Sequence, residues 1–250
     1  MENSNKDKLI KLIQDKEVRG FIDNLVTGNR IINEQNFGKI KKHIGEDKEL
    51  YSDFVKILFN VQPDILNYFH SIPEEMFSGI NWLYFITIPK NIVSIEDGAF
   101  ESCTSLRKVM FEAGSCLQEI GDCAFVNCEQ LKSIRIPRGV VNIGDNAFEH
   151  CDSLEIISFP QLDCNLKTIG SQAFARNSEL KKIIFPKGLK SIDVWAFLGC
   201  PNLKYVYMPE SVNSINGNIF RECGIVTVET KNPYVIQYCE DNNIQCIRII

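Results

Sequence analysis

The sequence predicts an α/β repeat protein: a solenoid of stacked coils, each holding one short strand, preceded by a small helical cap. Three observations carry that prediction. A phenylalanine returns at Phe77, Phe100, Phe125, Phe148, Phe174, Phe197 and Phe220, in steps of 23, 25, 23, 26, 23 and 23 residues. Apolar columns travel with it in fixed register. Residues 1–68 lack the period and carry apolar residues at helical spacing instead. A repeat of this length is the signature of a solenoid and outranks any local assignment.

The columns give the period its physical content. Five residues before the phenylalanine stand Ile72, Ile95, Ile120, Ile143, Ile169, Ile192 and Ile215, without exception. Eight before it stand Phe69, Ile92, Leu117, Val140, Leu166, Leu189 and Val212; six after it, Leu83, Leu106, Leu131, Leu154, Leu180 and Leu203. Nine and eleven after it, apolar residues recur as pairs such as Ile134 with Ile136 and Ile183 with Phe185, and a proline usually follows (Pro89, Pro137, Pro160, Pro186, Pro209). A single coil cannot bury so many apolar side chains, whereas stacked coils pack each one on its counterparts above and below.

Three after the phenylalanine the chain places Ile80, Cys103, Cys128, Cys151, Asn177, Cys200 and Cys223. The pattern Ile-Gly-x-x-Ala-Phe-x-x-Cys-x-x-Leu is clearest around Ile120-Gly121-Asp122-Cys123-Ala124-Phe125, Ile143 to Phe148, and Ile169 to Phe174. It resembles the BspA-type leucine-rich repeat, which is also seen in treponemal surface proteins. The resemblance spans roughly residues 69–226. It implies a leucine-rich-repeat solenoid in which the segment from seven to eleven after the phenylalanine is a strand, and the strands of successive coils form one parallel sheet. It also implies ligand or protein binding, with adhesion at cell surfaces in many members.

The remaining segments follow from local pattern. In residues 1–68, Leu9, Ile10, Leu12 and Ile13 recur at helical spacing, Phe21, Ile22, Leu25 and Val26 continue the pattern, and Ile40 with Ile44 form a third set. Leu50 to Phe59 reads as an amphipathic helix stopped near Pro63. The expectation is a bundle of four or five helices that covers the open end of the solenoid, or else forms an interaction module of its own. Its 11 basic and 11 acidic residues balance, so the net charge of −5 belongs to the repeats. The repeats are expected over 69–228, about seven of 23–26 residues. Glycines at Gly98, Gly121, Gly144 and Gly170 are read as easing a turn. Near Gly224 the register loses one residue; Pro233 to Asn242 then reads as a helix and Ile244 to Ile250 as a last strand, a C-terminal cap over 229–250.

Composition excludes several function classes. A mildly negative net charge gives no reason to expect nucleic acid. No apolar run is long enough to cross a bilayer. The N-terminus is polar and shows no secretory signal, so the expectation is an intracellular protein, with a cell-surface or secreted position if the sequence is a trimmed piece. Of the 10 cysteines, the five in the repeat column read as buried thiols acting as compact hydrophobes. Cys239 and Cys246 are the pair that a terminal cap can bring together. There is no Cys-x-x-Cys spacing, and His43, His70 and His150 are scattered, so neither a metal nor a cofactor is expected. No glycine-rich phosphate loop or nucleophile elbow is present, and His150 beside Cys151 pairs a loop residue with a core residue. The expected protein is not an enzyme.

The surface carries the functional reading. Positions eight and ten after the phenylalanine face outward on the sheet, and position seven adds Tyr84, Arg107, Lys132, Glu155, Lys181 and Lys204 at the strand ends. The candidate protein-binding residues are Phe85, Lys108, Met110, Arg135, Lys182, Tyr205 and Tyr207, a mixture typical of protein-binding surfaces. The basic stripe is too thin for nucleic acid. The expected function is therefore a protein-interaction module of ligand-binding or adhesion type, with a protein partner; the alternative is a structural or assembly scaffold without a dedicated ligand site.

Overall fold

The computed structural model describes residues 19, 20, 23, 32–44 and 48–249. The chain divides into two compact units, Met1–Ser71 and Ile72–Ile250.

In the first unit, helix α1 spans Glu34–Ile44 and helix α2 Lys48–Val61, followed by a 3-10 turn at Ile65–Tyr68. Asn33 starts α1 by accepting the Asn36 amide on its side-chain oxygen (3.1 Å). Phe37, Ile40 and Ile44 on α1, and Tyr51, Phe54, Val55 and Leu58 on α2, are the buried faces. Phe37 is the centre of this small core, with ring centroids 6.3 Å from Tyr51, 6.2 Å from Phe54 and 5.8 Å from Phe69. These helices match the third and fourth expected apolar sets. The two earlier sets, Leu9 to Ile13 and Phe21 to Val26, lie outside the described residues.

The second unit is the solenoid. Its long strands are β2 (Phe85–Ile88), β4 (Lys108–Phe111), β6 (Ser133–Arg135), β8 (Ile156–Ser158), β10 (Lys182–Ile184), β12 (Tyr205–Met208), β14 (Thr227–Thr230) and β15 (Gln245–Arg248). They form one eight-stranded parallel sheet in the order β15-β14-β12-β10-β8-β6-β4-β2. Between them lie two-residue strands: β1 (Ser71–Ile72), β3 (Ser94–Ile95), β5 (Glu119–Ile120), β7 (Asn142–Ile143), β9 (Thr168–Ile169), β11 (Ser191–Ile192) and β13 (Ser214–Ile215). These make a second, seven-stranded sheet in sequence order. The single sheet expected from the sequence is thus corrected to two. Each invariant isoleucine is the second residue of a short strand, and two residues are too few to show the alternation by which a strand is recognised.

Coil-to-coil packing explains the columns one by one. The phenylalanine rings from Phe77 to Phe197 stack face to face, with centroids 4.9–5.6 Å apart and planes within 9°. Phe220 ends the stack at 5.8 Å and 29°. Around each ring the backbone amides alternate in target. Those of Gly98, Phe100 and Ser102, for example, donate to Asp122, Ala124 and Val126 of the next coil, while those between them close local turns. The alternation needs left-handed residues two before and two after the ring, as at Cys123 (φ 54°) and Asn127 (φ 58°).

Gly98 holds such a left-handed position (φ +60°), as its expected role in the turn requires. Gly121, Gly144 and Gly170 have another task. A Cβ on Gly144 would strike the Asp122 carboxylate and stand 2.7 Å from the Asp122 nitrogen. That carboxylate occupies the space because it accepts the Asp145 amide at 2.7 Å. Asp97 and Asp145 serve Asp122 and Ser171 in the same way. The Gly-Asp pair is therefore an inter-coil device, the aspartate of one coil filling the place left by the glycine of the next.

The cysteine column also has a reason beyond size. Each thiol points at the backbone carbonyl of the preceding coil's phenylalanine: Cys103 to Phe77 (3.0 Å), Cys128 to Phe100 (3.3 Å), Cys151 to Phe125 (3.2 Å), Cys200 to Phe174 (3.2 Å) and Cys223 to Phe197 (3.0 Å). Asn177 replaces the thiol with an amide that donates to both Phe148 and Phe174. Ile80, in the first coil, has no preceding array carbonyl to serve.

Helix α3 (Pro233–Asp241) closes the far end, with Asn232 as its N-cap and Pro233 at its first position. The hydroxyls of Tyr234 and Tyr238 accept the amides of Ile215 and Ile219, and Tyr238 also donates to the Gly217 carbonyl. These are backbone groups of the last coil, which has no further coil to pair with. The helix and the final strand lie where the sequence places them, and the lost residue near Gly224 is the one that sets Thr227 opposite Tyr205.

Candidate protein-binding face

The eight-stranded sheet has one buried and one outward face. Along β2, Phe85 and Thr87 are exposed while Ile86 and Ile88 are buried, and β4, β6, β8 and β10 repeat the alternation. In-register pairing turns it into rows. Phe85, Lys108, Ser133, Ile156, Lys182, Tyr205 and Thr227 run side by side, and Thr87, Met110 and Arg135 begin the neighbouring row. Large apolar side chains stand open among the cations: Phe85 is 60% exposed and Ile156 58%.

The seven candidate residues fall into two groups and one outlier. Lys108, Met110 and Arg135 line one groove of about 670 Å³ near the end of β4 and β6. Lys182 belongs to a second groove of about 410 Å³, with Ile156 and Ile184. Phe85 sits on edge strand β2 beside Lys108.

Tyr205 and Tyr207 are less open than the sequence pattern implies. The Lys182 ammonium lies 4.7 Å from the centroid of the Tyr205 ring, and the Tyr205 hydroxyl donates to the Glu229 carboxylate at 2.6 Å. Burial, then this carboxylate, pushes the Tyr205 phenol up to about 12. Tyr205 and Tyr207 are both half-buried.

Both grooves border connectors that exceed the 23-residue coil. In the shorter coils three residues separate the column eleven after the phenylalanine from the column eight before the next one, as in Pro137-Arg138-Gly139 between Ile136 and Val140. The coil of 25 residues places its excess in Glu112 to Cys116, and that of 26 in Pro160 to Asn165. Glu112 to Ser115 wall the larger groove, opposite Pro137, Arg138 and Pro160. Arg138 is a lining residue that the strand pattern passes over, since it stands outside the strands. The unequal steps of 25 and 26 are the sequence signal that marks this corner.

The chemistry elsewhere is structural. Burial pushes the Cys103 thiol up to about 12 and raises Cys128 as well, so these thiols stay protonated at neutral pH. Cys151 is buried against the Phe125 carbonyl, while His150 stands 3.7 Å from the Asp152 carboxylate. Cys239 and Cys246 lie near one another in the terminal cap; burial, then Cys246, pushes Cys239 up to about 12. Among the described residues no group of three or more ligating side chains converges as for a metal ion, and no helix is long and apolar enough to cross a membrane.

The fold and its columns define a leucine-rich repeat solenoid. The family described as "BspA type Leucine rich repeat region" matches in six copies over residues 61–161 and 111–227. The chain belongs to this family, whose members are generally protein-interaction or surface modules.

Three solved structures are similar to it. A leucine-rich repeat protein of Bacteroides ovatus is 28% identical (TM-score 0.48) over 65% of this chain and 47% of its own. A T. pallidum leucine-rich repeat protein is 24% identical (TM-score 0.50) over 65% of this chain and 84% of its own. A leucine-rich cell surface protein of Faecalibacterium prausnitzii is 23% identical (TM-score 0.45) over 64% and 42% respectively. The chain thus spans about half the length of the Bacteroides ovatus protein. The T. pallidum structure supports the fold alone. No curated protein matches the chain at a significant level.

Proposed function

We propose that the chain is a non-enzymatic protein-interaction module that binds a protein partner through the outward face of the eight-stranded sheet. The observation that supports this reading is the row itself: Phe85, Lys108 and Ile156 stand exposed in register, large apolar groups beside cations. Such a surface loses apolar area to a partner and retains charges for orientation. A residue set that only kept the sheet soluble needs no exposed phenylalanine and isoleucine in its middle.

The test is affinity capture from the native source with the parent chain and with a Lys108→Glu, Arg135→Glu, Lys182→Glu variant in parallel. A partner held by the parent and lost by the folded variant supports the sheet face. A partner held by both moves the function to the helical unit or the phenylalanine side. Concentration-dependent self-association that survives the substitutions, with no partner captured, favours the assembly role.

A further inference from the structure

We propose that the larger groove, at the corner formed by the Glu112 to Ser115 connector, takes an acidic segment of a partner protein that also carries an aromatic or large aliphatic side chain. This inference rests on the reading of the sheet face as a protein-binding surface and adds to it a place and a chemistry.

Charge comes first. Lys108, Arg135 and Arg138 line the groove and are all exposed. None of the three is held in an ion pair or over a ring, in contrast to Lys182 over Tyr205 and Arg107 over Tyr84. The one carboxylate in the lining, Glu112, accepts the Lys90 amide at 3.0 Å. The groove thus offers two guanidinium forks and an ammonium to an incoming anion, and a guanidinium binds a carboxylate through two parallel hydrogen bonds.

The apolar floor is the second, independent observation. Phe111 occupies a column whose other members, Ile88, Ile136, Phe159, Phe185 and Met208, are buried. It is only half-buried, and it lines the groove with Met110. Its coil is the one whose connector opens with Glu112 in place of the usual proline. An open phenylalanine beside a flexible methionine suits an apolar side chain of varied shape.

The partner is protein rather than nucleic acid because the positive charge is local. A chain of net charge −5 repels a long polyanion, while a short acidic segment meets only the three cations at the corner.

The sequence supplies a local probe. The chain has four methionines, Met1, Met76, Met110 and Met208. Met76 and Met208 are buried, and Met110 lines the groove. The full chain is labelled with ¹³C-methyl methionine, the Met110 signal is assigned with Met110→Leu, and the sample is titrated with an acetylated Glu-Phe-Glu-Glu-Phe-Glu peptide. The expected result is a saturable shift of Met110 that the same peptide with lysine for glutamate does not produce. Arg135→Gln and Arg138→Gln should each weaken binding about tenfold, while Arg221→Gln, at an exposed cation outside both grooves, leaves it unchanged.

A silent Met110, an equal shift with the lysine peptide or with duplex DNA, or affinity indifferent to both arginines would overturn the inference. If Met110 stays silent while the capture experiment still depends on Lys108, Arg135 and Lys182, the groove assignment falls and the sheet-face reading stands. If neither responds, both fall. All the substituted residues are exposed or half-buried, and an unchanged melting curve shows that each variant is folded.

Discussion

The phenylalanine side and the connector side of each coil are built from the same chain under different constraints. On the phenylalanine side, every group is answered by its counterpart one coil away: ring on ring, amide on carbonyl, aspartate in the space of a glycine, thiol on carbonyl. On the connector side, segments of five to nine residues run from the long strands to the short ones, and two of them lengthen without disturbing the register of the strands that follow. The grooves lie on that permissive side, next to the two long connectors. Repetition therefore supplies rigidity and departures from repetition supply shape, which is the division expected of a scaffold whose function is carried by variable positions.

The sharpest way to break this comparison is to empty the stack. Phe148→Ala removes a fully buried ring between Phe125 and Phe174 and should cost about 3–5 kcal/mol in denaturant unfolding. An unchanged midpoint would deny the phenylalanine side its role. Gly144→Ala comes next. Its Cβ meets the Asp122 carboxylate and backbone, so a loss of about 1–3 kcal/mol is expected from overpacking. If the variant were as stable as the parent, the Gly-Asp device would be incidental.

Asn177→Cys tests the column in the opposite direction. The Asn177 side-chain oxygen is buried without a hydrogen-bond partner, and cysteine retains a donor while removing that acceptor; a gain of about 1 kcal/mol is expected. A loss would mean that the second bond, to Phe174, outweighs the orphaned oxygen.

Tyr205 sharpens the contrast between the ends of the binding face. Its folded pKa lies above the ordinary phenol value of 10.0, near 12, so the folded chain holds the proton more tightly than the unfolded chain. The stability from this proton is complete below pH 10 and is lost as pH rises toward 12. Tyr205→Phe should flatten that part of the pH–stability curve, and an identical slope in both proteins would refute the assignment. At the small end, Leu162→Ala changes a connector side chain that is 78% exposed and should shift stability by no more than about 0.5 kcal/mol. A larger loss would show that the long connectors are part of the core after all.

Much of the core was legible from the spacing of Phe77 to Phe220 because burial in a stack forces every coil to repeat the same choice at the same position. The binding face was legible only in part. Alternation along β4 and β6 marks Lys108, Met110 and Arg135 as outward, yet it is silent on Arg138, which the connector and not the strand brings to the groove. It also cannot register that Tyr205 is held between Lys182 and Glu229, because Glu229 belongs to a strand beyond the last regular coil.

The sequence by itself determined the solenoid, its period, the inward columns, and the closing helix and strand, since each is written in local pattern or in repetition. The tertiary structure alone decided that there are two sheets, that Gly121, Gly144 and Gly170 make room for aspartates, that the cysteines donate to phenylalanine carbonyls, and that three unpaired cations converge beside an open Phe111. These are relations between neighbouring coils. They depend on distances across the stack, and such distances are fixed only when the coils have come together.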